Sequence, residues 1–146
     1  MTVKYNKLLI ATDGSDNSKN AVQSGIKLAK STGAKVYAVY VIQPVSVAAG
    51  RKGPDWVKAA KDMMKEDGEK ATWYVEKKGN EENLDVEPVI LDGDPGDEII
   101  KFADKNEIDL IVIGTRGLSG IKRFMVGSVA DKVVRHSEKE VLVIPS

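Results

Sequence analysis

Hydrophobic and polar positions along this chain fall into two kinds of block. Short, nearly unbroken apolar runs occupy residues 7–12, 34–42, 86–91, 108–113 and 140–144, the pattern of strands buried on both faces. Between them, apolar residues recur every three or four positions, as on one face of a helix. Ala21, Val22, Gly25, Ile26, Leu28 and Ala29 share such a face, with Ser15 or Asp16 placed as an N-cap and Gly33 as a stop. Val57, Ala60, Met64, Ala71 and Val75 form one stripe of a long helix over 55–78, in which Gly68 costs some helix stability. A helix over 97–105 follows, with Asp94 as its cap and Pro95 in its first turn. The last helix covers 128–136 and ends on His136, the single histidine, whose partial charge suits a helix C-terminus.

Strands alternating with helices predict an α/β fold with a five-stranded, doubly wound parallel sheet. Its order is expected to be 3-2-1-4-5, the alternative being the flavodoxin-like 2-1-3-4-5. Ligands in such sheets sit beyond the carboxyl ends of the strands, where the winding direction reverses. In the 3-2-1-4-5 order that point lies between strands 1 and 4, which sets Ala11, Thr12 and Asp13 beside Gly114.

The segment from Gly114 to Ala130, GTRGLSGIKRFMVGSVA, carries the chemistry. It leaves the fourth strand, runs through a glycine-rich loop and enters the last helix. Glycines let backbone N–H groups approach an anion, and the unpaired N–H groups of a helix's first turn point at it. Arg116, Lys122 and Arg123 add positive charge, although Lys122 and Arg123 equally suit a solvated loop face. Asp13 and Ser128 likewise suit a turn and an N-cap. Asp92, Asp94 and Asp97 read as turn chemistry rather than as a metal cluster. The dinucleotide and Walker glycine patterns are absent.

Gly114-x2-Gly117-x9-Gly127-Ser128 resembles the nucleotide signature of the universal stress protein family. The strand ending in Thr12-Asp13-Gly-Ser, the Gly-Asp-Pro turn at 93–95, the Val-Arg-His-Ser segment and the apolar last strand extend the likeness over most of the chain. The complete motif looks like the ATP-binding branch, and the resemblance implies an adenine nucleotide alpha-hydrolase-like fold. Gly114 and Gly117 would then wrap the ribose and phosphates. Gly127, Ser128 and Val129 would offer backbone N–H groups to the phosphates, with the Ser128 hydroxyl beside them. Asp13 would reach the phosphates through Mg²⁺, Mn²⁺ or water, and Val41 would meet adenine through its backbone. Ala11 and Thr12 would line the same site, as would Arg116, whose contact the resemblance does not assign. Ala11 stands where relatives often carry proline or another small residue.

Length and composition narrow the picture further. A chain of 146 residues predicts one domain, 1–146, with a proper core. There is no cysteine, hence no disulfide or thiolate metal site. The first fifteen residues hold no apolar run long enough for a signal peptide or membrane span, which predicts a cytoplasmic protein with no membrane partner. With 22 basic and 22 acidic residues, nucleic acid is not an expected partner.

No catalytic constellation stands out, so at most slow ATP hydrolysis is expected, and the leading function is a nucleotide-dependent sensor or switch of the stress response. The alternatives are a slow ATPase or phosphotransferase and a phospho-receiver-like signalling domain. A receiver would match Asp13 and Asp92 loosely but lacks the lysine after strand 5. Val141, Leu142, Val143 and Ile144 form a continuous apolar strand, placed at a sheet edge in the 3-2-1-4-5 order, which invites pairing with a second copy. The family resemblance implies the same homodimer. The long connection at 43–54 has the length of a lid or binding loop.

Overall fold

The computed structural model of the chain describes residues 4–45, 51–115 and 127–145. Strands β1 (Lys7–Ala11), β2 (Lys35–Ile42), β3 (Val86–Asp92), β4 (Leu110–Gly114) and β5 (Glu140–Ile144) alternate with helices α1 (Asp16–Thr32), α2 (Pro54–Asn80), α3 (Pro95–Lys105) and α4 (Ser128–His136). All strand pairs are parallel, in the order β3-β2-β1-β4-β5. This is the expected order, and it is not that of a flavodoxin-like receiver.

Strand side chains alternate between two cores. Leu8, Ile10, Val36, Ala38, Leu110 and Val112 meet Ala21, Val22 and Ile26 of α1 and Val75 of α2. Leu9, Ala11, Val39, Ile111 and Ile113 meet Ile99 and Ala103 of α3 and Ala130 and Val133 of α4. Helices therefore cover both faces of the sheet, and β1 and β4 are buried almost throughout. That double coverage is why these strands read as unbroken apolar runs.

The helix ends follow sequence chemistry closely. Of the two candidate caps for α1, Ser15 is the one used: its side chain accepts from the Ser18 N–H, and Gly33 ends the helix in the left-handed region at φ 75°. Asp94 caps α3 by accepting from the Asp97 N–H, with Pro95 in the first turn. Because Asp94 and Asp97 both pair with Lys132 Nζ at 2.9 Å, these acids tie α3 to α4. Among the described residues no group of three or more acidic or histidine side chains is arranged to hold a metal.

Helix α2 departs from expectation. Its buried residues are Gly68, Ala71, Thr72, Val75 and Gly79, all in the C-terminal half. Val57, Ala60 and Met64 are only partly covered, while Trp56 and Met63 are 41% and 66% exposed. The cause is length. A 27-residue helix runs about 40 Å, whereas the eight-residue β2 beneath it spans roughly 26 Å, so the first half has little sheet to cover. Gly68 sits where a Cβ would come within 2.7 Å of the Tyr40 ring, so the residue that weakens the helix permits that contact.

Gly25 plays the corresponding part in α1, where a Cβ would lie 2.5 Å from Ile10 Cδ1 and 2.7 Å from Ile10 Cγ1. Ile10 is fully buried in the central strand and has nowhere to go. Gly25→Ala gains about 1 kcal/mol of helix propensity but overpacks the core by about 1–3 kcal/mol. The expected outcome is a lower Tm in thermal denaturation; a higher one would contradict this packing.

Candidate functional site

The crevice at the carboxyl ends of β1 and β4 is a cleft of about 480 Å³. It brings together Ala11, Thr12, Asp13, Val41, Gly114, Gly127, Ser128 and Val129, residues that are up to 118 positions apart in sequence (129 − 11). Arg116 and Gly117 lie outside the described residues, as do Lys122 and Arg123. So does the 46–50 part of the connection considered as a lid, although Gln43 at its start lines the cleft.

Three elements build the site. The first is the turn after β1. Thr12 extends the sheet by donating its N–H to Val39 O at 3.0 Å, and its hydroxyl accepts from the Gly14 N–H and shares a hydrogen bond with Ser18 Oγ. Gly14 adopts φ 79°, a conformation that favours glycine. Asp13 Oδ1 accepts from both the N–H and the hydroxyl of Ser15. Its Oδ2 takes no hydrogen bond among the described residues. Asp13 thus fixes the turn and still presents a carboxylate oxygen.

The second element joins the end of β4 to the start of α4. Thr115 N donates to Ile144 O at 3.0 Å, and Gly127 N donates to Thr115 O, so the chain returns to the point it left. The N-cap of α4 is Gly127, not Ser128, and among the described residues no side chain caps this helix. Side chains do cap α1 and α3. The first-turn residues of α4, Ser128 to Ala130, line the cleft, and N–H groups at a helix start have no intrahelical partner.

The third element is an apolar wall that sequence reasoning missed. Val39, Ile99, Ile113 and Ala130 line the cleft together with Pro95, Ser18, Gln43 and Thr115. A signal for part of it exists: Val39 shares the face of Val41 at a spacing of two on a strand, and Pro95 and Ile99 stand four apart on a helix. Among the described lining residues Asp13 is the one acidic or basic side chain.

The fold and this crevice define a doubly wound α/β protein with its ligand-sized cleft at the topological switch point. Residues 4–145 match the model of the universal stress protein family. Universal stress protein MJ0531 of Methanocaldococcus jannaschii is 39% identical over 140 residues, covering 96% of this chain and 82% of the relative. The chain belongs to the universal stress protein family. Its fold is also similar to the solved structure of M. jannaschii protein MJ0577, with a TM-score of 0.83, 25% identity and coverage of 97% and 96% of the two chains. A universal stress protein solved in complex with cAMP superposes with a TM-score of 0.69 at 26% identity, covering 97% of this chain and 98% of its own.

Asp94 supports the wall by capping α3 beneath Pro95 and Ile99. The hydrogen bond from Lys132, reinforced by the Asp97 N–H, holds its pKa below the ordinary carboxylate range. A lowered folded-state pKa makes Asp94's contribution full above the ordinary value of about 3.9 and lost as pH falls through the lowered one. Asp94→Ala is therefore expected to cost roughly 0.5–2 kcal/mol at neutral pH. Its deficit in Tm against the unsubstituted protein should shrink in acid; a deficit independent of pH would contradict the assignment.

Proposed function

We propose that this protein is an ATP-binding member of its family that works as a nucleotide-dependent sensor or switch in the stress response, with at most slow hydrolysis. The observation that carries the reading is the convergence of Asp13, Gly114 and the uncapped start of α4 on one cleft with an apolar wall. Adenine suits the wall of Val39, Val41, Ile99 and Ile113, with the Val41 backbone at its edge. The ribose lies by Gly114, and the phosphates take the N–H groups of Gly127, Ser128 and Val129 and the Ser128 hydroxyl. The similar protein solved with cAMP supports an adenine nucleotide as the ligand class. Gly117 and Arg116 complete the motif from outside the described residues.

Asp13 bears on the metal. A polyphosphate in this cleft faces a carboxylate of like charge, and a divalent cation removes the conflict. Mg²⁺ is commonly held by one or two carboxylates plus substrate phosphates, and Asp13 with its open Oδ2 fits that role for Mg²⁺ or Mn²⁺. Charge-assisted hydrogen bonds contribute about 1.5–3 kcal/mol each. Several of them, set against an association cost of ~4–15 kcal/mol, suit a micromolar complex, near −8 kcal/mol.

Two binding predictions follow from the geometry. Gly127 has φ −64° and ψ 158°, extended backbone open to any residue, so no backbone strain opposes a side chain there. Gly127→Val is expected to keep its circular dichroism spectrum and lose ATP binding in calorimetry; undiminished affinity would sink the phosphate assignment. Asp13→Asn keeps an acceptor for Ser15 but removes the charge. Chelating Mg²⁺ should weaken ATP binding strongly in the wild type and far less in this variant.

A homodimer through β5 is the proposed assembly. Among the described residues this strand pairs with β4 alone, at an edge of the sheet. Val141 and Val143 pack against the α3/α4 core and Ile144 against the other, which leaves Leu142, 37% exposed, as the side chain available to a partner. Leu142→Lys is expected to shift the mass measured by light scattering from two chains to one; an unchanged mass would contradict pairing at this edge.

A further inference from the structure

Among the described residues, the hydroxyl oxygen of Thr115 is the one buried side-chain polar atom without a hydrogen-bond partner. Other threonines of the chain satisfy theirs: Thr72 donates to Gly68 O at 3.0 Å, Thr32 to Leu28 O at 2.9 Å, and Thr12 shares a bond with Ser18. The helical threonines use the carbonyl four residues back. Thr115 follows the end of a strand and has no such carbonyl. Both its main-chain groups are engaged, the N–H by Ile144 and the carbonyl by Gly127, so the residue is held firmly while its side chain goes unpaired. It also lines the cleft, between Gly114 and Gly127. Valine would fill the same volume without stranding a hydroxyl, and an unpaired buried hydroxyl is unfavourable.

We infer that Thr115 is a ligand-binding residue whose hydroxyl is satisfied only when the cleft is filled. A turn about its Cα–Cβ bond, between staggered positions, exchanges hydroxyl and methyl and brings the hydroxyl to the cleft. There it hydrogen-bonds an oxygen of the nucleotide's sugar–phosphate portion. The inference rests on the nucleotide reading above and adds to it the side chain at a position that the Gly114-x2-Gly117 pattern leaves open to any residue. It also makes the empty protein less stable than it need be, and the difference is recovered on binding.

The test is a pair of measurements on Thr115→Val, Thr115→Ser and wild type: Tm without ligand, and ATP affinity with Mg²⁺ by calorimetry. Thr115→Val is expected to raise the ligand-free Tm by about 2–4 °C and to weaken ATP binding about tenfold, while Thr115→Ser keeps wild-type affinity. A purely structural threonine would instead lose Tm on replacement by valine, which would overturn the inference, as would undiminished ATP affinity in that variant. Should the valine variant fail to fold, Thr115→Ala removes the same hydroxyl and is expected to show the same loss of affinity. A wild type that binds no ATP overturns the nucleotide reading and this inference together. Binding by the wild type with equal binding by Thr115→Val overturns the inference alone. Repeating the comparison with 2′-deoxy-ATP places the bond: a loss confined to ATP puts it on the 2′-hydroxyl, and a loss with both nucleotides puts it elsewhere on the sugar or on the phosphates.

Discussion

The pairing of β1 with β4 governs the rest of this molecule. It joins β3-β2-β1 to β4-β5 in one sheet, through the register Leu8↔Leu110, Leu9↔Ile111 and Ile10↔Val112. Every one of these six residues is buried. Because the chain winds away from this seam in opposite directions, no crossover helix closes its carboxyl end, and a crevice opens there. The turn carrying Asp13 and the start of α4 reach the same space for that reason, although they lie far apart in sequence.

The glycines of this fold do two different kinds of work. Gly25, Gly68 and Gly79 let helices approach the sheet closely, against Ile10, Tyr40 and Val86 respectively. Gly14 and Gly33 instead serve chain reversals with positive φ. Gly127 is not of the second kind. Its backbone is ordinary, and nothing in its conformation calls for glycine.

Much of the fold was written in the sequence because each element's local chemistry agrees with its packing. Strand runs buried on both faces, the Ser15 and Asp94 caps and the Gly33 stop all mark boundaries that the structure keeps. Periodicity failed where its information ends: it assigns a face to α2 but not how far the helix outruns its sheet, so Val57, Ala60 and Met64 on that face came out only partly covered. At the cleft, the parts next to glycine and turn signals were legible, namely Asp13, Gly114 and Gly127. The apolar wall was not, since Val39, Ile99 and Ile113 look like any core residue until the sheet order sets them around an opening. Thr115 gave no signal at all, because an unpaired hydroxyl is a property of the folded state.

The central claim is that this cleft holds an adenine nucleotide. The most direct measurement is calorimetric titration of the wild-type protein with ATP in the presence of Mg²⁺. Saturable binding of one nucleotide per chain, with a Kd on the order of micromolar, is the predicted result. No detectable heat, together with no rise of Tm at millimolar ATP, would contradict it.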